Sequence, residues 1–138
     1  MLDRAIEIAS TALEGMKDPD GNSYLDHALR VMEKMDTEDE KIVAVLHDVI
    51  EDTELTLGEL AEEGFSRRVL DSIEQLTKRR DVTYYDYIDD ISGTELASKV
   101  KIAEIEDNKD IARVKKMSFQ TYSIDERARR SLKILRGE

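Results

Sequence analysis

The residues best suited to chemistry lie on one predicted helix, where His47 and Asp48 are followed one turn later by Glu51 and Asp52. At about 100° per residue, positions four apart share a row of an α-helix, so Asp48 aligns with Asp52 and His47 with Glu51. Imidazole and carboxylate groups together are ligands that Mn²⁺, Fe²⁺ or Zn²⁺ accepts. The same four residues would also suit a polar, solvated helix face, so the pattern leaves both interpretations open.

A second predicted helix, at residues 95–114, carries acids where an apolar face is expected. Apolar residues recur along it with the helical period, yet Glu104 and Asp107 fall within or beside the same arc. Buried acids are costly unless they are paired or bind a cation. They could pair with Lys101 or Arg113 on the same helix, or share a metal site with the first helix. The shared site accounts for the acids better.

Helices are expected along the whole chain. One Pro, six Gly and no sustained period-two alternation leave little sequence for a sheet. A Ser or Thr with an acid three residues later, the signature of a capping box, precedes four apolar series at Thr37, Thr56, Thr83 and Ser123. Residues 18–22, Asp-Pro-Asp-Gly-Asn, predict a turn. The result is an all-α fold with helices at residues 2–16, 23–35, 38–52, 57–63, 66–79, 84–91, 95–114 and 124–136.

Length and composition predict one folded domain. The chain has 138 residues, of which 40% are hydrophobic and 38% are charged, a balance typical of a folded helical domain rather than a disordered segment. We expect a single domain over residues 1–138, with the chemistry-bearing motifs within residues 9–114 and a basic C-terminal helix within residues 115–138.

Charge and hydropathy exclude several classes of partner. A net charge of −11 repels nucleic acid phosphates, so no nucleic acid partner is expected. No apolar run approaches the ~20 residues that cross a bilayer, and the N-terminus carries acids where a signal peptide is apolar. Together with the absence of cysteine, these features predict a cytoplasmic protein without a membrane partner. Association with a second copy of the chain stays open.

Three segments resemble the HD phosphohydrolase superfamily, in the order and spacing of that family. They are YLDH at residues 24–27, VLHDVIEDT at residues 45–53 and VKIAEIEDN at residues 100–108. The similarity is greatest to the hydrolase domain of the stringent-response alarmone enzymes and their small stand-alone relatives, which the stretch LTKRR at residues 76–80 also resembles. Those enzymes cleave the 3′-pyrophosphate from guanosine tetraphosphate and pentaphosphate in a Mn²⁺-dependent reaction.

The resemblance implies a role for each matching residue. Glu51 and Asp52 match the catalytic pair that orients or polarises the attacking water, and Asn108 matches a nucleotide-contacting position. Tyr24 is expected to line the same cleft. The metal ligands implied are His27, His47, Asp48 and Glu104.

A polyanionic substrate also needs basic residues around it. We expect these among Lys78, Arg79 and Arg80 at the end of a predicted helix. Compensation of the helix dipole is an equally good interpretation of these three residues.

Two departures from the family pattern affect the metal and the substrate. Glu104 stands where the family has Asp, which places its carboxylate about 1–1.5 Å further out, a displacement large enough to affect catalysis. Asp107, one turn away, is an alternative ligand. Asp18 and Pro19 stand where the alarmone hydrolases carry a basic pair.

The resemblance leads us to expect a divalent-metal-dependent phosphohydrolase that acts on a nucleotide, with Mn²⁺ as the metal and guanosine tetraphosphate as the most specific substrate. The alternatives are a hydrolase of the same superfamily acting on another nucleotide or phosphate ester, and a non-catalytic helical module that binds a nucleotide or a partner at a degenerate metal site.

Overall fold

The computed structural model describes residues 1–113 and 119–138, and these residues form eight α-helices and a single isolated β-bridge between Lys17 and Ser23. The all-α prediction is confirmed. Val114 and residues 115–118, at the junction of the last two predicted helices, lie outside the described residues. In chain order the helices are α1 (Leu2–Ala12), α2 (Tyr24–Glu33), α3 (Glu38–Asp52), α4 (Leu57–Glu62), α5 (Arg67–Leu76), α6 (Tyr84–Ser92), α7 (Glu95–Arg113) and α8 (Phe119–Leu135).

Helix α3 lies at the centre of the bundle and contacts α1, α2, α5 and α7. It begins at a capping box in which the Thr37 hydroxyl accepts from the Glu40 amide and the Glu40 carboxylate accepts from the Thr37 amide. Because neighbours surround it, all eight residues from Ile42 to Val49 are buried. His47 and Asp48 are therefore interior side chains, whereas residues 51 and 52 at the end of the helix are exposed.

Helix α7 is the second element of the site and packs against α2, α3, α5, α6 and α8. Its buried apolar residues include Leu96, Val100 and Ile105, and the charged residues Lys101 and Asp107 are buried among them. The prediction of a central helix that carries interior charges is confirmed.

The turn between α1 and α2 follows the Asp-Pro-Asp-Gly-Asn signature. The carboxylate of Asp18 accepts from the backbone amides of Asp20 and Asn22, each at 2.9 Å, and from the side-chain amide of Asn22 at 3.1 Å. Gly21 has a φ of +86°, a conformation that glycine adopts without steric cost. Ser23 directly follows the turn, and its hydroxyl caps α2 by accepting a hydrogen bond from the Asp26 amide.

Three predicted helix boundaries are wrong. Helix α1 ends at Ala12 rather than residue 16, because the chain turns through Gly15, whose φ is +71°. Helix α5 ends at Leu76, and Thr77 adopts an extended conformation, so residues 78–80 lie in a loop and do not close a helix. Helix α8 begins at Phe119. Ser123 therefore lies inside α8 and is not its N-cap. The pattern of Ser followed by an acid three residues later does not distinguish a cap from two neighbouring positions on one face of a helix.

None of the described helices is both long and apolar enough to span a membrane.

Candidate metal centre and adjoining cleft

Three buried side chains from α2 and α3 converge between the helices. His27, His47 and Asp48 each offer a ligand atom, and these atoms lie within 4.8 Å of one another. The two oxygens of Asp48 face one imidazole each, at 3.7 Å from His27 Nε2 and 3.2 Å from His47 Nε2. The arrangement places two nitrogens and a carboxylate around one point, which is a donor set that suits a divalent cation.

His47 supplies a direct test of whether this cluster suits a cation. Its Nδ1 contacts the carbonyl oxygen of Ala44, which can only accept, so Nδ1 carries the hydrogen and donates. The opposite nitrogen, Nε2, is buried and makes no well-aligned hydrogen bond with any described residue. A buried nitrogen without a well-aligned partner is rare in proteins. Because Nδ1 is occupied by the Ala44 carbonyl, Nε2 is the atom through which the neutral ring would bind a metal ion.

The electrostatic field of the cluster is strongly negative. Burial by itself lowers the pKa of His47, but the carboxylates of Asp48 and Glu104 outweigh it and raise that pKa to about 10. The cluster therefore holds positive charge firmly, and a divalent cation satisfies the same field without a proton.

Glu104 approaches the cluster from α7 and is also paired with a lysine. Its Oε2 lies 3.7 Å from His47 Nε2 and accepts a hydrogen bond from Lys101 at 3.0 Å. Burial raises the pKa of Glu104, yet Lys101 and His47 hold it far below its usual range. The two arrangements considered from the sequence, pairing with Lys101 and facing His47, thus occur together.

Asp107 lies behind His27 rather than among the three clustered ligand atoms. Its Oδ2 accepts from His27 Nδ1 at 2.7 Å, and Arg30 binds both of its oxygens at 2.9 and 3.1 Å. Although burial raises the pKa of Asp107, the hydrogen bonds from Arg30 and His27 lower it overall. Its predicted role as an alternative metal ligand finds no support in this position.

A cleft of about 400 Å³ opens beside the cluster, between α3, α6, α7 and α8. Asp48 and Glu104 form its inner wall, and Glu51 and Asp52 line it at the end of α3. Three cations also line it: Lys78, Lys101 and Arg127. The cleft therefore places acids next to the candidate metal centre and positive charge within the same cavity, although the whole chain is acidic.

The predicted substrate-binding residues divide between two sides of the centre. Asn108 and Lys78 line the cleft, whereas Tyr24 lines a smaller cavity of about 130 Å³ on the side of the Asp18 turn. Asp48, Glu104 and Asn108 are common to both cavities and form the wall between them. The predicted set is thus split, with the larger space on the Lys78 side.

Arg79 and Arg80 do not reach this cleft. Arg79 pairs with Asp81 at 3.2 Å and lines a separate cavity, and Arg80 is exposed. Because α5 ends at Leu76, the three basic residues lie in the loop after the helix, and only Lys78 points toward the cleft. Its amino group donates a hydrogen bond to the carbonyl of Val82 at 2.7 Å. The structure brings one of the three residues to the cleft.

Sequence reasoning missed two cations of the cleft. The Arg127 guanidinium lies over the ring of Tyr84, 3.9 Å from its centre, and Lys101 lies over Tyr87 at 5.2 Å. Tyr87 is itself fixed, because its hydroxyl donates to the Leu76 carbonyl at 2.5 Å. Arg127 lies 23 residues beyond Glu104 in a segment without motif spacing, so the basic charge of the C-terminal helix was the only available signal.

The two acids at the mouth of the cleft have raised pKa values. Partial burial of the carboxyl raises the pKa of Glu51 to about 7, and Glu104 and Asp48 add to this while Lys101 opposes it. Although residue 52 is exposed overall, partial desolvation of its carboxyl raises the pKa of Asp52 to about 6, with a further contribution from Asp48. The pKa values of both carboxyls therefore lie near neutral pH, the range that suits general acid–base chemistry.

No family model matches the chain, and no curated protein matches it by sequence. Its fold is similar to a solved structure of a metazoan ortholog of SpoT, a protein described as hydrolysing ppGpp and playing a role in starvation responses. The TM-score is 0.79 and the identity is 20%, over 99% of this chain and 85% of that chain. The resemblance inferred from the three motifs is thus confirmed at the level of the fold.

Proposed function

We propose that this chain is a divalent-metal-dependent phosphohydrolase that acts on a nucleotide, and specifically that it removes the 3′-pyrophosphate of guanosine tetraphosphate. The observation that carries the proposal is the buried cluster of His27, His47 and Asp48, in which a histidine nitrogen without a partner faces a carboxylate. The fold shared with a protein described as a ppGpp hydrolase supports the substrate.

His27, His47 and Asp48 would hold the metal, and Glu104 would supply a fourth ligand. Mixed nitrogen and oxygen donors accept Mn²⁺, Fe²⁺ or Zn²⁺, and the resemblance to the Mn²⁺-dependent alarmone hydrolases favours Mn²⁺ among them. When bound, such a cation supplies Lewis-acid polarisation of the phosphate and of the attacking water. Lys101 holds Glu104 ionised and directs its Oε2, at 3.0 Å, so that the longer side chain still reaches the cluster.

The residues at the cleft mouth handle the proton. Glu51, whose pKa in the metal-free protein is raised to about 7, accepts a proton from water as the water oxygen attacks the phosphorus bonded to the 3′-oxygen. Asp52 orients the same water. The bond between the 3′-oxygen and phosphorus breaks, and the 3′-oxygen takes up the proton that Glu51 accepted from the water. The products are guanosine diphosphate, with a free 3′-hydroxyl, and pyrophosphate.

The cations of the cleft hold the phosphates. Lys78 and Arg127 lie in the same cavity as Glu51 and Asp52, so a polyanion bound there presents a phosphate next to the centre. On the opposite side, the Asp18 carboxylate is engaged by the turn, and the family's basic pair is absent. The phosphates therefore bind on the Lys78 side, and Asn108 on the shared wall contacts the nucleoside.

This intracellular substrate class and the lack of cysteine support a cytoplasmic location.

The test is pyrophosphate release from guanosine tetraphosphate with Mn²⁺, alongside a panel of other nucleotides and phosphate esters. We expect release that disappears in Asp48→Asn, because that variant loses the carboxylate shared by both histidines. Asp39→Asn is the matched control: Asp39 lies on the same helix but pairs with Arg68 at the other end, at 3.0 Å. Its activity should be unchanged.

Two results would contradict parts of the proposal. Release only from another member of the panel would remove guanosine tetraphosphate as the substrate and keep the metal-dependent reaction. No release from any member, in a protein that binds no Mn²⁺, would overturn the enzyme and favour the nucleotide-binding module, for which the Lys101–Glu104 pair is the specific supporting observation.

A further inference from the structure

We propose that Asp107, held by Arg30, is a positioning residue that fixes His27 in the orientation and tautomer that a metal ligand needs. The inference rests on the proposed function, because it assigns a purpose to a contact of the candidate metal centre. It concerns two residues that no motif predicted for this role.

Arg30, Asp107 and His27 form a chain of successive contacts that leads from the surface to the cluster. The Arg30 guanidinium, about half exposed, binds both oxygens of the buried Asp107 carboxylate, and Asp107 Oδ2 lies 2.7 Å from His27 Nδ1. On the other side of the ring, His27 Nε2 faces Asp48. Arg30 lies three residues after His27 on α2, so one face of that helix clamps a single carboxylate of α7.

The chemistry follows from what each atom can donate. An ionised carboxylate only accepts hydrogen bonds, so Nδ1 of His27 must carry a hydrogen to bind it. In the neutral ring the lone pair then resides on Nε2, the nitrogen that faces the cluster. Arg30 keeps the carboxylate ionised and in place through a bidentate pair, and the ring cannot turn without breaking the bond to Asp107.

The other histidine is fixed in the same way by a different group. His47 Nδ1 donates to the Ala44 carbonyl of its own helix, which leaves its Nε2 facing Asp48 as well. The two rings thus present the same nitrogen to the same point. His47 uses a local backbone acceptor, whereas His27 depends on a carboxylate 80 positions away, which makes its orientation a consequence of α2–α7 packing.

The experiment measures Mn²⁺ affinity, by titration followed with electron paramagnetic resonance, and the His27 tautomer in the metal-free protein at alkaline pH, by long-range ¹H–¹⁵N correlation spectra. In wild type we expect His27 with hydrogen on Nδ1. Asp107→Ala should weaken Mn²⁺ binding roughly 10–100-fold and populate the other tautomer. Asp107→Asn, which restores an acceptor without the charge, should bind with intermediate affinity.

Glu106→Ala is the matched control, because Glu106 is adjacent on α7 and pairs with Arg136 at 2.6 Å. It should leave both readouts unchanged. Asp107→Ala and Asp107→Asn that bind Mn²⁺ as tightly as wild type, with an unchanged His27 tautomer, would overturn the positioning role alone. A wild-type protein that binds no Mn²⁺ would overturn the proposed function as well, so the two failures are distinguishable. If Asp107→Ala does not fold, the Asn variant decides the question.

Discussion

Single residues set the charge of the site, and they do so in opposing directions. Lys101 and His47 keep Glu104 ionised, while burial and the neighbouring carboxylates raise the pKa values of Glu51 and Asp52. The inner wall is therefore negatively charged, and the mouth is poised to exchange protons. In the proposed mechanism, this difference in environment separates the residues that would bind a cation from those that would transfer protons.

The pH dependence of stability tests the raised pKa of Glu51. In the native state its pKa is about 7, against an ordinary value of 4.5, so the stability it contributes is complete below pH 4.5 and is lost as the pH rises through 7. With metal chelated, we expect wild type to lose stability between pH 5 and pH 8, and Glu51→Gln to lose less and to be the more stable protein at pH 8. Urea unfolding at both pH values measures this.

Glu62→Gln, at an exposed glutamate outside the cleft, serves as the control. Its free energy of unfolding should fall with pH as steeply as that of wild type. A Glu51→Gln variant with the same slope as wild type would show that Glu51 is ionised throughout this range.

At the scale of elements, α8 completes the cleft. It packs against α6 and α7. Two arginines of α8 stack on tyrosine rings of α6: the guanidinium of Arg127 lies 3.9 Å from the centre of the Tyr84 ring, and that of Arg130 lies 4.0 Å from the centre of the Tyr85 ring. Of these two arginines, Arg127 lines the cleft. The stacking holds an otherwise flexible cation in position, which reduces the entropy lost when a phosphate binds.

Arg127→Gln should therefore raise KM for guanosine tetraphosphate by about tenfold, the equivalent of ~1.4 kcal/mol for one charge-assisted hydrogen bond. We expect kcat to stay within a few fold, because the proposed mechanism gives Arg127 no part in holding the metal or moving the proton. Steady-state kinetics separates the two constants. Arg129→Gln is the control, since Arg129 pairs with Glu126 on its own helix at 2.6 Å; an equal rise in KM there would point to the charge of α8 as a whole.

At the scale of the whole molecule, the candidate centre ties together helices that are distant in the chain. His27 on α2, His47 and Asp48 on α3, and Glu104 on α7 meet at one point, and burying this much negative charge costs free energy when no cation is bound. Because the unfolded chain separates these groups, a cation that binds the cluster stabilises the native state by mass action.

Mn²⁺ at 100 times its dissociation constant should raise the free energy of unfolding by about 2.7 kcal/mol, and chelation should reverse the gain. Thermal unfolding with and without Mn²⁺ measures it. Asp48→Asn should show no such increase, while Asp39→Asn should show the full one. Equal stabilisation of Asp48→Asn would place the bound cation elsewhere on this acidic surface.

Local patterns predicted most of the architecture. The capping box at Thr37 and the Asp18 turn depend on contacts within five residues, so they were predictable from the sequence, and so was the series of helices. The early end of α5 was missed, because Thr77 leaves the helix although the residues after it favour helix formation. This early end places Lys78 in the cleft and leaves Arg79 outside it.

The sequence by itself determined the all-α class, the spacing that sets His47 beside Asp48 and the resemblance that singled out His27 and Glu104. Only the tertiary structure decided which charges meet: that Asp107 lies behind His27, that Lys101 pairs with Glu104, and that Arg127 enters the cleft. The physical reason is range. Helix periodicity and capping depend on residues close together in the chain. The contacts listed here depend on how α2, α7 and α8 pack and on which side chains that packing buries, and spacing along the chain predicts neither the packing nor the burial.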